Sequence, residues 1–202
     1  MTAVRRPAQS VSPRQRQPVR RLARAERREQ ILDAATRAFA RSGFTATGLD
    51  DVAAEVGVTH VILYRHFASK TELYRAVLER ARTRLAEILG TDEYDEGTIP
   101  ALLRAAAADP DGFRLLFRHA AREPDFRDVV DSLRSTSIEV AHRYLTERIP
   151  DGPWRQWAAR LIPTVTLEAV IAWLDTGQPE PDHAAEHIWR AIQAVIDAAH
   201  PG

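Results

Sequence analysis

Cysteine is absent from all 202 residues, which excludes disulfides, thiol nucleophiles and thiolate metal sites together. Lysine is nearly absent too, with Lys70 alone against 27 arginines. The longest apolar stretch, 161–174, contains Pro163 and Glu168 and is too short to span a bilayer. The N-terminal segment has no apolar run of the kind a secretory leader needs, so the expected compartment is the cytoplasm and no membrane partner is expected. No glycine-rich phosphate loop follows a strand pattern and no nucleophile elbow occurs, so no cofactor is expected. What is there is 45% apolar residues at helical spacing, enough to bury a core, with nothing that reads as a strand or a repeat.

A net charge of zero conceals a strong polarity. Residues 1–28 hold nine arginines and one acid, Glu26, for a charge of +8, so the remaining 174 residues carry −8. One end suits a polyanion and the rest does not. Residues 1–22 combine this charge with three prolines and no periodic apolar face, and are expected to be a disordered basic arm able to lie along phosphates.

Residues 47–67 carry the clearest pattern. Leu49, Val52, Ala53 and Val56 share one helical face, Val58, Leu63 and Phe67 continue it, and Gly57 between them can take the positive φ of a sharp turn. Ala53 is small where two helices must cross closely. Thr59, His60, Val61, Ile62, Tyr64 and Arg65 are then left on or near the start of the second helix, mostly away from the core, where a helix enters a major groove. Upstream, Gly43-Phe44 closes a first helix over 24–42, with Arg27 and Arg28 near its start able to face phosphate. Downstream, Ser69 with Glu72 forms a capping box that opens a fourth helix at 70–89.

These residues resemble a family. Gly43-Phe44, Thr47, Asp51-Val52-Ala53, Gly57-Val58-Thr59, Leu63-Tyr64-Arg65-His66-Phe67, Ser69-Lys70 and Leu73 look like the N-terminal signature of tetracycline-repressor-like (TetR/AcrR-type) transcriptional regulators over about residues 25–75. The resemblance implies that Thr59, His60 and Val61 lie at base edges, that Tyr64, His66 and Lys70 hold phosphates, and that Thr47 lies near the DNA backbone. Gly48 stands where a hydroxyl residue commonly caps the second helix, and Val61-Ile62 replaces a small residue and Thr. That apolar pair points to thymine methyls rather than base hydrogen bonds.

Beyond the motif the spacing predicts helices at 98–108, 113–122, 125–148, 154–175, bent at Pro163, and 182–200. The expected fold is therefore all-α, with a three-helix head over 23–69 and a body over 70–202, about nine helices in all. The last two helices have wide apolar faces, and Trp157, Leu161, Val165, Ile188, Trp189, Ile192 and Ile196 are the candidate dimer contacts. A homodimer would read a palindromic operator at half-sites about 34–36 Å apart or more. The resemblance also implies a small-molecule effector pocket among the fourth to eighth helices. From helical faces alone its candidate lining is Leu85, Leu103, Phe113, Phe117, Leu133, Ser137, Val140, Glu168 and Trp173.

Other readings are weaker. His183, Glu186 and His187 match the H-x-x-E-H pattern of inverted zinc proteases, but such a site needs a third ligand well downstream and only fifteen residues follow. The expected function is an effector-released repressor. A constitutive DNA-binding protein without effector, and more remotely a small helical enzyme, are the alternatives.

Overall fold

The computed structural model describes residues 24–90 and 94–200, and among these no residue is in a strand. The expected basic arm at 1–22 lies outside the described residues.

Helix α1 (Arg24–Ala46) buries Ile31, Leu32, Ala35, Ala38 and Phe39 along one stripe. Its regular course is interrupted at Gly43, whose φ of 77° suits a residue without a Cβ. The short α2 (Leu49–Val56) and α3 (His60–Tyr64) meet at Gly57, in the left-handed conformation with φ 72°. Val52 and Ala53 from α2 and Leu63 from α3 seal this joint against α1. The turn at Gly57 is held by Val58 N–H donating to Ala53 C=O at 3.0 Å.

Helix α4 (Lys70–Leu89) starts at Ser69, whose hydroxyl accepts from Glu72 N–H at 3.1 Å while the Glu72 carboxylate accepts from Ala68 N–H at 2.7 Å. It packs on α1 and also on α5 (Thr98–Ala108), so one rigid helix belongs to both ends of the molecule. Arg80, nearly covered, ties α4 to α1 through Asp33 at 2.7 Å, Glu29 at 3.4 Å and the Thr36 hydroxyl at 2.7 Å. Helix α5 is the inner rod of the body, in contact with α4, α8 and α9, and buries Ile99, Leu102, Leu103 and Ala106.

The expected sixth helix is in fact three pieces. A short α6 (Pro110–Arg114) begins early because Asp109 caps it, accepting from Gly112 N–H at 2.9 Å. A π-helical turn (Leu115–His119) and a 3₁₀ turn (Ala120–Arg122) follow, and Pro124 opens another 3₁₀ turn before α7 (Arg127–Leu145). Helix α8 (Pro153–Asp175) runs through Pro163 as one element and packs on α7, α5 and α9 (Pro181–Ala198). As folded, α8 is longer than the apolar run that defined it in the sequence, and by length and composition alone it could cross a membrane. Its stripe of Ala158, Ile162, Thr166 and Val170 is instead inside the protein.

Four rings join the head to the body. Phe39 and Phe44 from α1 lie 4.8 and 5.0 Å from Tyr74 of α4, and Phe126, just before α7, lies 4.5 Å from Tyr74 and 5.0 Å from Phe44. Beside them Arg75 bonds the Asp128 carboxylate at 2.9 Å and the Asp125 carbonyl at 2.6 Å.

Candidate nucleic-acid interface and inner cavity

The tip of the head is built by burying one residue of α3 and exposing its neighbours. Leu63 is fully covered and anchors the five-residue helix. The opposite side then presents Thr59, His60, Val61 and Tyr64 to solvent. Val61 is 61% exposed and Tyr64 47%, unusual for large apolar side chains with no function. The His60 ring stands edge-on to Tyr64 at 4.5 Å and reaches Asp50 of α2 at 3.4 Å. That contact fixes the imidazole without covering it.

The cation supply comes from α1. His66 is half-buried, and its imidazole is held below the ordinary histidine range first by burial and then by Arg24, Arg28 and Arg27. Arg28 also lies over the Phe67 ring at 4.8 Å. A row of arginines therefore flanks the recognition surface, which suits phosphates beside a groove. Behind it, Glu55 joins α2 to α1 through Arg37 at 2.8 Å and Arg41 at 2.9 Å. Its carboxyl is held below the usual range, chiefly by the bond to Arg41.

Two of the residues expected at the DNA also make bonds within the protein. Thr47 is 2% exposed and its hydroxyl donates to Gly43 C=O at 2.7 Å, so its side chain closes the α1–α2 joint and does not face solvent. Lys70 reaches back to α1, donating to Phe44 C=O at 2.9 Å and Thr45 C=O at 3.3 Å, with its ammonium 4.5 Å from the Phe44 ring. A cation there satisfies carbonyls that a helix end leaves open. Gly48 is an adequate cap because Asp51 compensates, accepting from the Gly48 N–H at 2.8 Å.

The body holds a partly open cavity of about 300 Å³ between α4, α5, α7 and α8, lined by Leu85, Leu102, Phe117, Leu133, Val140 and Ile162 among others. A second chamber of about 320 Å³ adjoins it, sharing Phe117, Leu133, Ser137, Pro163 and Leu167. The π-helical turn places Phe117 between the two.

The family profile for bacterial regulatory proteins of the tetR family matches residues 31–77. The chain is 30% identical over 184 residues to the HTH-type transcriptional activator FasR of Mycolicibacterium smegmatis, covering 82% of this chain and 81% of that protein. It belongs to the TetR family.

Over 89 residues the chain is also 38% identical to the HTH-type transcriptional repressor SCO4008 of Streptomyces coelicolor, covering 44% of this chain and 46% of that one. A TetR-like transcriptional regulator from Rhodococcus sp. RHA1 superposes with a TM-score of 0.73 at 25% identity, covering 86% of this chain and 99% of its own. The protein is thus a DNA-binding transcriptional regulator of the helix-turn-helix type, with the helical body of a TetR regulator.

Within that TetR fold the expected body residues separate. Leu85, Phe117, Leu133, Ser137 and Val140 do line the main cavity. Leu103 and Phe113 do not; they are 1% and 4% exposed and belong to the core around α5. Glu168 borders the outer chamber, and Trp173 faces the α8–α9 groove, its indole N–H donating to Pro179 C=O at 2.6 Å.

The expected dimer contacts divide too. Trp157 is exposed on α8, with Leu161 and Val165 half-buried along the same stripe. Ile188, Ile192 and Ile196 are sealed within the protomer and cannot meet a partner, because α9 turns its apolar side onto its own body. Trp189 is half-covered among Tyr94 and Tyr144, with ring centres 6.3 Å from each.

Sequence reasoning missed Tyr94 and Thr166, both of which line the main cavity. Thr166 left a signal: it is a lone hydroxyl on the otherwise apolar stripe Ala158, Ile162, Val170. His183, Glu186 and His187 lie on the exposed side of α9, where His183 pairs with Glu180 and Glu186 with Arg190. Among the described residues no three metal-ligating side chains gather.

Proposed function

We propose that this TetR-family protein acts in the cytoplasm as a homodimer that occupies a palindromic operator and is released by a small molecule held in the cavity between α4 and α8. The observation that carries the reading is the pairing of an outward apolar and aromatic tip, Val61 and Tyr64, with a void in the body. The division of labour is a head at 23–69 and an effector and dimerisation body at 70–202.

At the operator, Thr59 and His60 meet base edges, Val61 meets thymine methyls, and Tyr64 and His66 meet phosphates. Lys70, two of whose donors are engaged, supports the phosphate face through its third. Thr47 acts from beneath, by holding α2 in place. The dimer seam is the α8 stripe Trp157, Leu161 and Val165, together with the half-buried Ala191 and Val195 of α9. Two such pairs make a four-helix bundle.

A ligand against Leu133, Ser137 and Val140 bears on α7, whose first turn leans through Phe126 and Asp128 on Tyr74, Phe44 and Arg75. This is a contiguous route from the cavity to the head. Effective release demands strong preference for the displaced arrangement, since reversing a 99:1 population needs roughly 10⁴-fold differential affinity.

A second reading of the regulatory sign is favoured by FasR, an activator that the chain matches over most of its length. A reporter driven from the operator decides: repression predicts higher output on deleting the protein, activation lower. Loss of ligand response in Arg75→Ala with operator affinity retained supports the route. An unchanged response excludes it.

A further inference from the structure

Six hydroxyls of described residues line the main cavity, and three of them are already engaged. The Thr136 hydroxyl donates to Ser132 C=O at 3.1 Å and the Ser137 hydroxyl to Leu133 C=O at 2.9 Å. The Thr98 hydroxyl accepts from Asp95 N–H at 2.9 Å and donates to the Asp95 carboxylate at 3.1 Å. Ser132, at the rim, is exposed to water. Tyr94 and Thr166 differ: both hydroxyl oxygens are buried and neither makes a hydrogen bond within 3.5 Å, the two hydroxyls lying close enough to act on each other. Thr166 is 5% exposed and its neighbours along α8 are apolar. Two buried hydroxyls with only each other nearby leave hydrogen-bonding capacity unmet, which costs stability, and they face a space able to admit something that pairs them.

The charges around the cavity are equally informative. Among the described residues Arg82 is the one charged residue on its wall; it sits at the exposed margin and is engaged by Glu79 through two bonds of 2.9 and 2.6 Å. Among the described residues no carboxylate lines that space. In the outer chamber Arg134, Arg160 and Glu168 are exposed. The inner end therefore has neither a cation for an acid nor an anion for an amine, and desolvating a bare charge there would be costly. Burial pushes the Tyr94 phenol well up, so it stays protonated and able to donate.

We propose that the Tyr94 and Thr166 hydroxyls are the specificity determinants of the effector site, and that the effector is an uncharged, mainly apolar molecule bearing a carbonyl oxygen. A carbonyl oxygen has two lone pairs and takes one hydrogen bond from each hydroxyl. The apolar remainder of the ligand runs past Leu133, Phe117 and Pro163 toward the outer chamber. This rests on the cavity being the effector site, and it adds the class of molecule that site selects.

The test uses three probes of matched length on the full chain: methyl octyl ketone, decanoate and decylamine. Binding is followed by calorimetry and by the rise in melting temperature. The ketone is expected to bind tightest, at least tenfold above either charged probe. Tyr94→Phe and Thr166→Val should each weaken the ketone about three- to tenfold, as expected for a single lost hydrogen bond in a buried site. Both replacements preserve shape, so the unliganded melting temperature should hold or rise. Arg82→Ala should leave ketone affinity unchanged. Tighter binding of decanoate with loss in Arg82→Ala, indifference of the ketone to both hydroxyl deletions, or absence of ketone binding each overturns the proposal. Operator release is measured separately: a ketone that binds through the two hydroxyls without releasing DNA upholds this assignment and removes the effector reading instead.

Discussion

The head and the body of this protein solve opposite packing problems. In the head, Leu63, Val52, Phe39 and Phe67 are fully covered so that Thr59, His60, Val61 and Tyr64 can stand outside on a fixed frame. In the body, Phe117, Leu133 and Val140 leave room between them, because the function there needs a space that packing does not fill. The lesson is that a reading surface depends on a rigid support beneath it, whereas a ligand site depends on incomplete filling.

Breaking the head's support should have the largest effect. Leu63→Ala removes the one side chain of α3 that reaches the core and is expected to cost about 2–5 kcal/mol, with DNA binding abolished and the cavity intact. Thermal unfolding and a gel-shift titration check both halves. If DNA binding survives, α3 is held by something other than its anchor.

The comparison sharpens inside the body with two phenylalanines a turn apart, whose rings lie 4.7 Å from each other. Phe113→Ala cuts into filled core and should cost about 3–5 kcal/mol. Phe117→Ala only enlarges an existing void and should cost roughly half as much, while altering ligand affinity. Equal losses in denaturant titrations would mean that both are plain core.

At the tip itself, Val61→Ala removes exposed methyl groups and should leave folding untouched while lowering affinity by about 1 kcal/mol at operators that present thymine there. An equal loss on all sequences would point to a phosphate role instead.

The smallest effect is a pH dependence. His66 is held below its ordinary value, so it is neutral at neutral pH. A nearby phosphate favours the protonated form, and operator affinity should rise as pH falls from about 7 toward 6, a rise lost in His66→Gln. Stability runs the other way. With the folded value depressed, the unfolded chain binds more protons in acid, and this residue's contribution falls as pH drops through the ordinary histidine range.

How much of this was legible in the sequence follows from the same contrast. The turn at Gly57, the cap at Ser69 and the exposure of Val61 were readable because each rests on local spacing or on one residue's backbone freedom. Helix α9 was readable as a helix, yet the side it would bury was not. Ile188, Ile192 and Ile196 look the same in a sequence whether they meet a partner or their own body. Leu103 and Phe113 were indistinguishable from Phe117 for a related reason, since a void leaves no mark in the apolar pattern. The irregular segment around Leu115–His119 escaped because Pro124 and the Asp109 cap impose their constraints from either end. The double bond of Lys70 to α1 joins residues 26 and 25 apart in sequence and has no local signature.

The central claim is that two copies of the α3 tip read one duplex together. The most direct measurement is selection of bound DNA from a random pool with the full chain, with the mass of the selected complex determined alongside. The expected result is an inverted repeat bound by an even number of protomers, whose half-site sequence changes when His60 is replaced by Ala. An asymmetric single site bound by one protomer, or a motif indifferent to His60, would contradict the account.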